Sequence, residues 1–394
     1  MVRKIVYGLM ALLLVALGWV FIVLPGKFEA ETNVVTSEPL PALRPDTLSL
    51  HKTLAIADLH GDTLLWKRSL LDRADRGHID LPRLEEGNVA LQIFSSVSKT
   101  PRGQNYDSNG GDTDNITLLA IAQLQPVRTW FSPFERSKWH GERLEQAAKE
   151  SQGRLMLIRA PGDVDRLLAA RKAGKQVTGA LFSVEGLQNL EGDAANLDRL
   201  HDAGMRMAGL VHFFDNRVAG SMHGIDKRGL TDFGRGIVRD MERKGIIVDI
   251  AHSSHAAVAD VLAMARRPVV SSHGGVQAVC KVNRNLTDAE IRGVAATGGI
   301  IGIGYWDGAI CSTDPKHTAL SIRHVRDLVG IEHVALGGDF DGAVTTRFDT
   351  SQVAQVTQAL IDLGFTPDEI AAVMGGNALR IIKQGIEPLP DKPL

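Results

Sequence analysis

Cysteine is nearly absent from this 394-residue sequence: only Cys280 and Cys311 occur, so no more than one disulfide can form. An excess of one charge sign is also missing. With 44 Lys+Arg against 46 Asp+Glu the formal net charge is -2, which supplies no global field to draw the chain onto nucleic acid or anionic lipid and points instead to a small substrate. Aromatic residues are sparse, with five Trp and three Tyr, and against them thirteen histidines stand out. Histidine is the commonest metal ligand and titrates near neutrality. The remaining composition, 44% hydrophobic and 23% charged, is ordinary for a globular protein able to bury a large core.

One long apolar run is clear. Arg3 and Lys4 precede Ile5–Leu24 (IVYGLMALLLVALGWVFIVL), which as a helix is long enough to cross a hydrocarbon core of roughly 30 Å. A cleaved signal peptide is the rival, but its apolar region would be shorter and followed by a small-x-small site, which PGKFEAET does not offer. Residues 1–30 therefore read as a membrane anchor or signal segment, with the preceding positive charges on the cytoplasmic side and the rest outside, periplasmic if the source is bacterial. Residues 31–50, with their Pro and Ser/Thr, read as a linker, leaving 51–394 as the folded domain. Export makes a Cys280–Cys311 bridge an alternative to two buried thiols.

From residue 53 onward short apolar runs alternate with helical segments, the pattern of parallel strands joined by crossover helices. Eight strands are expected: Leu54–Asp58, Val89–Ser95, Gly179–Val184, Met207–Val211, Ile246–Ile250, Val269–Ser272, Gly299–Ile303 and Val334–Gly338. Thr287 with Glu290, and Thr366 with Pro367 and Glu369, form capping boxes, and Gly245 stops the helix before it. Eight such units predict an α/β fold, a (β/α)8 TIM barrel preceded by one transmembrane helix, whose chemistry lies at the C-terminal strand ends. Polar residues do cluster there: His60 and Asp62, Glu185, His212, His252, His273, Tyr305 and Asp339. A polar, Gly/Asn-rich stretch (TPRGQNYDSNGGDTDN) opens the long insertion between the second and third strands and is expected as surface loop near the site mouth.

In an extended segment His60 and Asp62 point to one side and can share a metal. Glu185 ends an apolar strand, where an unpaired charge would be costly and bridging two cations removes the cost. His252 and His273 would serve the second metal. Imidazoles mixed with carboxylates suit Zn2+ better than Mg2+ or Ca2+. Two such metals hold a hydroxide at neutral pH, and Asp339, with Asp341 as competitor, could move the proton from water to the leaving amine. His212 can donate to a developing oxyanion, and Arg284 offers a planar fork to a substrate carboxylate. Asn216, Tyr305 and Trp306 are expected to line the pocket.

The segments DLHGDTL, HIDLPRLEEGNVALQIFS, SVEGLQNL, GLVHFFDN through VDIAHSS, PVVSSHGGVQAVCKVNRNL and ALGGDFDG together resemble the membrane (renal-type) dipeptidases of the amidohydrolase superfamily, over about residues 55 to 380. The resemblance implies two Zn2+ per chain, with His60 and Asp62 on one, His252 and His273 on the other, and Glu185 bridging. It implies His212 and Arg284 as substrate-binding residues, Asp339 as proton shuttle, a Cys280–Cys311 disulfide, and homodimerisation. Family members hydrolyse dipeptides, often with a C-terminal D-residue, and some open β-lactam rings. Two departures stand out: this C-terminus, IEPLPDKPL, has no hydrophobic tail for a lipid anchor, and Gly61 and Val211 replace a frequent Asn and Thr, which bears on substrate preference. The rival readings are an N-acyl amino acid deacylase on the same metals and a surface binding protein that has lost catalysis.

Overall fold

The computed structural model describes residues 2–389; the last five residues assigned to the barrel domain, 390–394, and Met1 lie outside them. Numbering the barrel strands alone, β1 is Ile56–Asp58, β2 Val89–Phe94, β3 Thr178–Glu185, β4 Met205–Gly209, β5 Ile247–Asp249, β6 Val270–Ser271, β7 Ile300–Ile303 and β8 Val334–Leu336. All pair in parallel, in the order β2-β1-β8-β7-β6-β5-β4-β3, and a β2–β3 pairing closes the ring. This is a (β/α)8 barrel. Each strand falls within two or three residues of its sequence-based bounds, because runs such as VALQIF and TGALFSVE are buried on both faces and have no solvent side to mark with polar residues.

The insertion after β2 was expected to begin as loop and does, but it also carries the helices Asn115–Ala122, Pro133–Glu150 and Pro161–Lys172 and a further strand, Leu155–Leu157. That strand pairs with the beginning of β3, opposite the edge that β2 occupies. Its three residues are too short a pattern to separate from loop in the sequence. The capping boxes at Thr287 and Thr366 form as expected, and Gly245 closes the helix Asp232–Lys244 in the left-handed region at φ 71°.

Residues Val2–Thr32 form one helix, apolar and exposed in its first part and the one described helix long and apolar enough to cross a membrane. Its middle, Trp19–Val23, loosens into a π-helical turn. The end of this helix and residues 31–50 lie on the barrel. Pro25 and Glu29 are buried, Val34–Val35 pair in parallel with Thr345–Thr346, and the helix Pro45–Thr53 buries Thr47 and His51.

Candidate metal centre and active site

The side chains singled out at the strand ends converge on one buried point. Glu185, the last residue of β3, places its Oε1 3.0 Å from His252 Nε2, 3.3 Å from His273 Nε2 and 3.6 Å from His60 Nε2. Its Oε2 lies 3.2 Å from His212 Nε2. His60 Nε2 is also 3.5 Å from Asp62 Oδ1 and 4.0 Å from Asp339 Oδ1. All but Asp339 are almost wholly buried, and Asp339 retains 13% exposure on the open side.

The electrostatics of this cluster are those of a cation site. Burial drives Glu185 well above the ordinary carboxylate range, and Asp62 beside it pushes further in that direction. Burial also works against a charge on His60, yet Asp62 and Glu185 raise it to about 10. His252 and His273 are held well below their usual value, first by burial and then by a neighbouring positive charge, Arg284 for His252 and His60 ahead of Arg284 for His273, which keeps their nitrogen lone pairs free for a metal. His60 Nε2 and Asp62 Oδ1 are buried without any hydrogen-bond partner. Such orphaned atoms in a pocket of mutually repelling carboxylates fit a bound cation. Three overlapping ligand sets fall within metal-binding reach: His60, Asp62 and Glu185; Glu185, His212 and His252; and His60, Asp249 and His273.

Several supporting residues were not singled out in the sequence. Asp249, at the end of β5, accepts from the Ser272 hydroxyl at 2.5 Å, and Ser272 Oγ lies 2.8 Å from His273 Nδ1, so the ring that faces Glu185 is held from behind. Asp58, at the end of β1, accepts from the backbone N–H groups of His60 and Gly338. Both aspartates are in the strands themselves, inside VDI and IAD, where they read as ordinary strand ends. Tyr305 was expected in the pocket. It is instead fully buried, donating its hydroxyl to Asp58 Oδ2 at 3.0 Å and packed against Phe340 and Phe348. The tyrosine nearest the mouth is Tyr106 from the polar insertion, whose hydroxyl accepts from Trp306 Nε1 at 3.4 Å and whose carbonyl meets His223 Nδ1 at 2.8 Å.

Asp339 and Asp341 are told apart by their surroundings. Asp341 is buried and accepts from Thr63, His78 and Ile79, and Arg68 holds its carboxyl below the usual range against the cost of burial. It is fully committed. Asp339 faces the cluster, and burial, opposed by His60 and reinforced by Asp62, pushes it up to about 8. Its φ of 53°, like that of His252 at 64°, lies in the left-handed region that non-glycine residues seldom adopt. Gly342 beside it has no room for a Cβ, which would strike the carboxylate of Asp339.

Arg284 sits in the loop after β6, with one hydrogen bond, Nη2 to the His273 carbonyl at 2.8 Å, and its guanidinium 6.0 Å from the Trp306 ring. The Cys280–Cys311 disulfide ties this loop to the one after β7, with Cα atoms 5.3 Å apart. His212 is pushed down to about 3 by burial and by His223. Asn216 is bound into its own turn, donating to Leu210 and accepting from Val218, rather than offered to the cavity.

Residues 46–388 match the family model described as membrane dipeptidase, peptidase family M19. The chain belongs to that family. Among similar proteins, Dipeptidase aclJ of Aspergillus oryzae is 28% identical over 377 residues, 86% of this chain and 84% of that protein. Dipeptidase 3 of Mus musculus is 26% identical over 387 residues, covering 90% and 69% respectively. A metallo peptidase of Rhodobacter sphaeroides, solved with a phosphinate mimic of the dipeptide L-Ala-D-Ala, superposes with a TM-score of 0.67 at 22% identity, over 84% of this chain and 99% of that one. Its likeness shows the shared fold. Family membership makes the chain a metallo-dipeptidase by class, with the His/Asp/Glu cluster as its candidate metal-binding residues.

Proposed function

We propose that the protein is a binuclear zinc dipeptidase acting on free dipeptides, including those with a C-terminal D-residue. The observation that carries this reading is Glu185 Oε1, one carboxylate oxygen within 3.6 Å of three histidine nitrogens from the loops after three different strands. In this reading His60 and Asp62 hold one ion, His252 and His273 the other, and Glu185 both. The paired ions, when bound, supply a nucleophile at neutral pH and polarise the scissile carbonyl. Everything else is work for the chain's own side chains.

Asp339, whose carboxylate faces His60 on the less buried side of the cluster, accepts the proton of the attacking water and returns it to the departing amine. His212, uncharged at neutral pH, donates a hydrogen bond to the oxygen on which negative charge develops. Arg284, with most of its fork uncommitted, binds the substrate's terminal carboxylate. The relay from Asp249 through Ser272 to His273 fixes ring orientation. The mimic of L-Ala-D-Ala bound by the Rhodobacter sphaeroides peptidase supports activity on dipeptides with a C-terminal D-residue; an anchored, extracytoplasmic location goes with this reading, with 51–394 as the dipeptidase domain and 31–50 packed against it.

The test is hydrolysis by the full-length, zinc-loaded protein of L,L and L,D dipeptides, an N-acetylated dipeptide, a C-terminally amidated dipeptide and a tripeptide. Cleavage confined to dipeptides with both ends free is expected. Cleavage of the acetylated compound alone would make the protein a deacylase.

A further inference from the structure

The end of the N-terminal helix packs behind the loop that carries Asp339. Glu29, on its last turns, is 1% exposed and is the only carboxylate of that helix buried in the barrel. Its Oε1 accepts from Arg68 Nε at 2.6 Å and its Oε2 from Arg76 Nε at 2.9 Å. Arg68, itself buried, pairs through its other nitrogens with Asp341 Oδ2 and the Ile79 carbonyl. One guanidinium thus stands between two buried carboxylates, one from the membrane-anchor helix and one two residues beyond Asp339. Phe28 packs on Trp66, ring centroids 6.1 Å apart, and Trp66 donates to the Asp341 carbonyl at 2.7 Å.

The same loop is held from its far side by the residues that follow the helix. Asn33 Oδ1 accepts from the Ala343 N–H at 2.9 Å, Val34 N–H donates to the Val344 carbonyl at 3.2 Å, and Thr36 N–H to the Thr346 carbonyl at 2.8 Å. These ties fall on residues 341–346, directly after Asp339, and Asp339, Asp341 and Ala343 are three non-glycine residues with φ of 53°, 66° and 59°. Each is a conformation that costs of order 1 kcal/mol or more and persists only when its surroundings over-determine it. A salt bridge buried this deeply is a weak source of stability, but breaking one partner leaves a buried charge uncompensated.

We propose that Glu29 is a positioning residue for catalysis: through Arg68 and Asp341 it holds the loop that aims Asp339, so the helix that anchors the chain is also required for its active-site geometry. This rests on the role given to Asp339 above. It also means that a fragment trimmed through residue 30 would leave Arg68 with one partner removed.

The experiment is made on the full-length, zinc-loaded chain with Glu29→Gln, Glu29→Asp and, as control, Glu31→Gln, whose carboxylate is exposed and pairs with Lys27. For Glu29→Gln, kcat on a cleavable dipeptide falls about tenfold, the size of coupling carried by such networks, with KM and zinc content unchanged. Amide hydrogen exchange at residues 338–343 rises in the same variant. Glu29→Asp recovers part of the rate, and Glu31→Gln leaves both readouts unaltered. Unchanged kcat and exchange in Glu29→Gln would overturn the proposal, as would its global unfolding, which would make the contact a stability element. A wild-type chain that cleaves no dipeptide would sink the proposed function while leaving the exchange test to decide whether Glu29 orders the loop.

Discussion

The two ends of the barrel are built from the same strands and follow opposite rules. At the N-terminal end several polar side chains are fully partnered: Asn377 Nδ2 donates to the carbonyls of Ile331 and Val334 at 2.7 and 2.9 Å, Asn88 caps the carbonyls of His51 and Leu54, and His51 meets Thr357 and Gly87. At the C-terminal end His60 Nε2, Asp62 Oδ1 and His252 Nδ1 are buried without partners, carboxylates crowd one another, and His252 and Asp339 hold left-handed backbone. Unmet polar demand is the mark of a site whose remaining partner is a ligand, whereas met demand is the mark of a scaffold.

Substitutions can sharpen that contrast. The largest effect belongs to Glu185→Gln, which removes the charge common to two of the three candidate ligand sets. Zinc content should fall and kcat/KM drop about 10³-fold, equivalent to several kcal/mol of metal-derived transition-state stabilisation. Metal analysis beside steady-state kinetics checks both, and a variant with full zinc and full rate would remove Glu185 from the centre. Asp339→Asn should retain the metal and lose about 10²–10⁴ in kcat, a separation of binding from rate that Glu185→Gln cannot give.

At the opposite end the order of effects reverses. Asn377→Leu strands one buried and one half-buried carbonyl and should cost about 2 kcal/mol of stability, read by chemical denaturation, while kcat of the folded enzyme stays at the wild-type value. A loss of rate without loss of stability would break the division between the two ends.

The smallest effect concerns a half-exposed pair between the helices that follow β5 and β6. His255 Nδ1 lies 2.6 Å from Glu290 Oε1, and that hydrogen bond raises the histidine above its ordinary value of 6.5. A raised folded value means the charged pair stabilises fully below the unfolded pKa and ceases to do so as pH climbs through the folded one. The melting-point gap between wild type and His255→Ala should therefore be widest near about pH 5.5 and close by about pH 9. Because the His255 side chain is about half exposed, solvent screening keeps the gap small. A gap that widens with pH would reverse the assignment.

Much of the site was legible because barrel chemistry is local to strand ends: DLHGDTL, SVEGL, VDIAH, VVSSH and GGDFDG each announce a functional residue directly after an apolar run. What was not legible depends on partners far along the chain. Tyr305 and Asp339 stand at equivalent strand ends, yet one turns onto Asp58 and away from the mouth, and the other toward His60. Asp339 and Asp341 are two residues apart in one motif, and only Arg68, His78 and Thr63 show that Asp341 is committed.

The sequence by itself determined the number and order of the strands, the family, the apolar N-terminal helix and the set of candidate ligands, because periodicity, punctuation and strand-end position are properties of neighbouring residues. Only the tertiary structure decided that one oxygen of Glu185 faces three imidazoles, that Asp249 and Ser272 stand behind His273, and that residues 25–36 pack against the loop that follows Asp339. Those are contacts between positions as much as 310 residues apart, and burial, which sets their charge and cost, exists only once the barrel has closed.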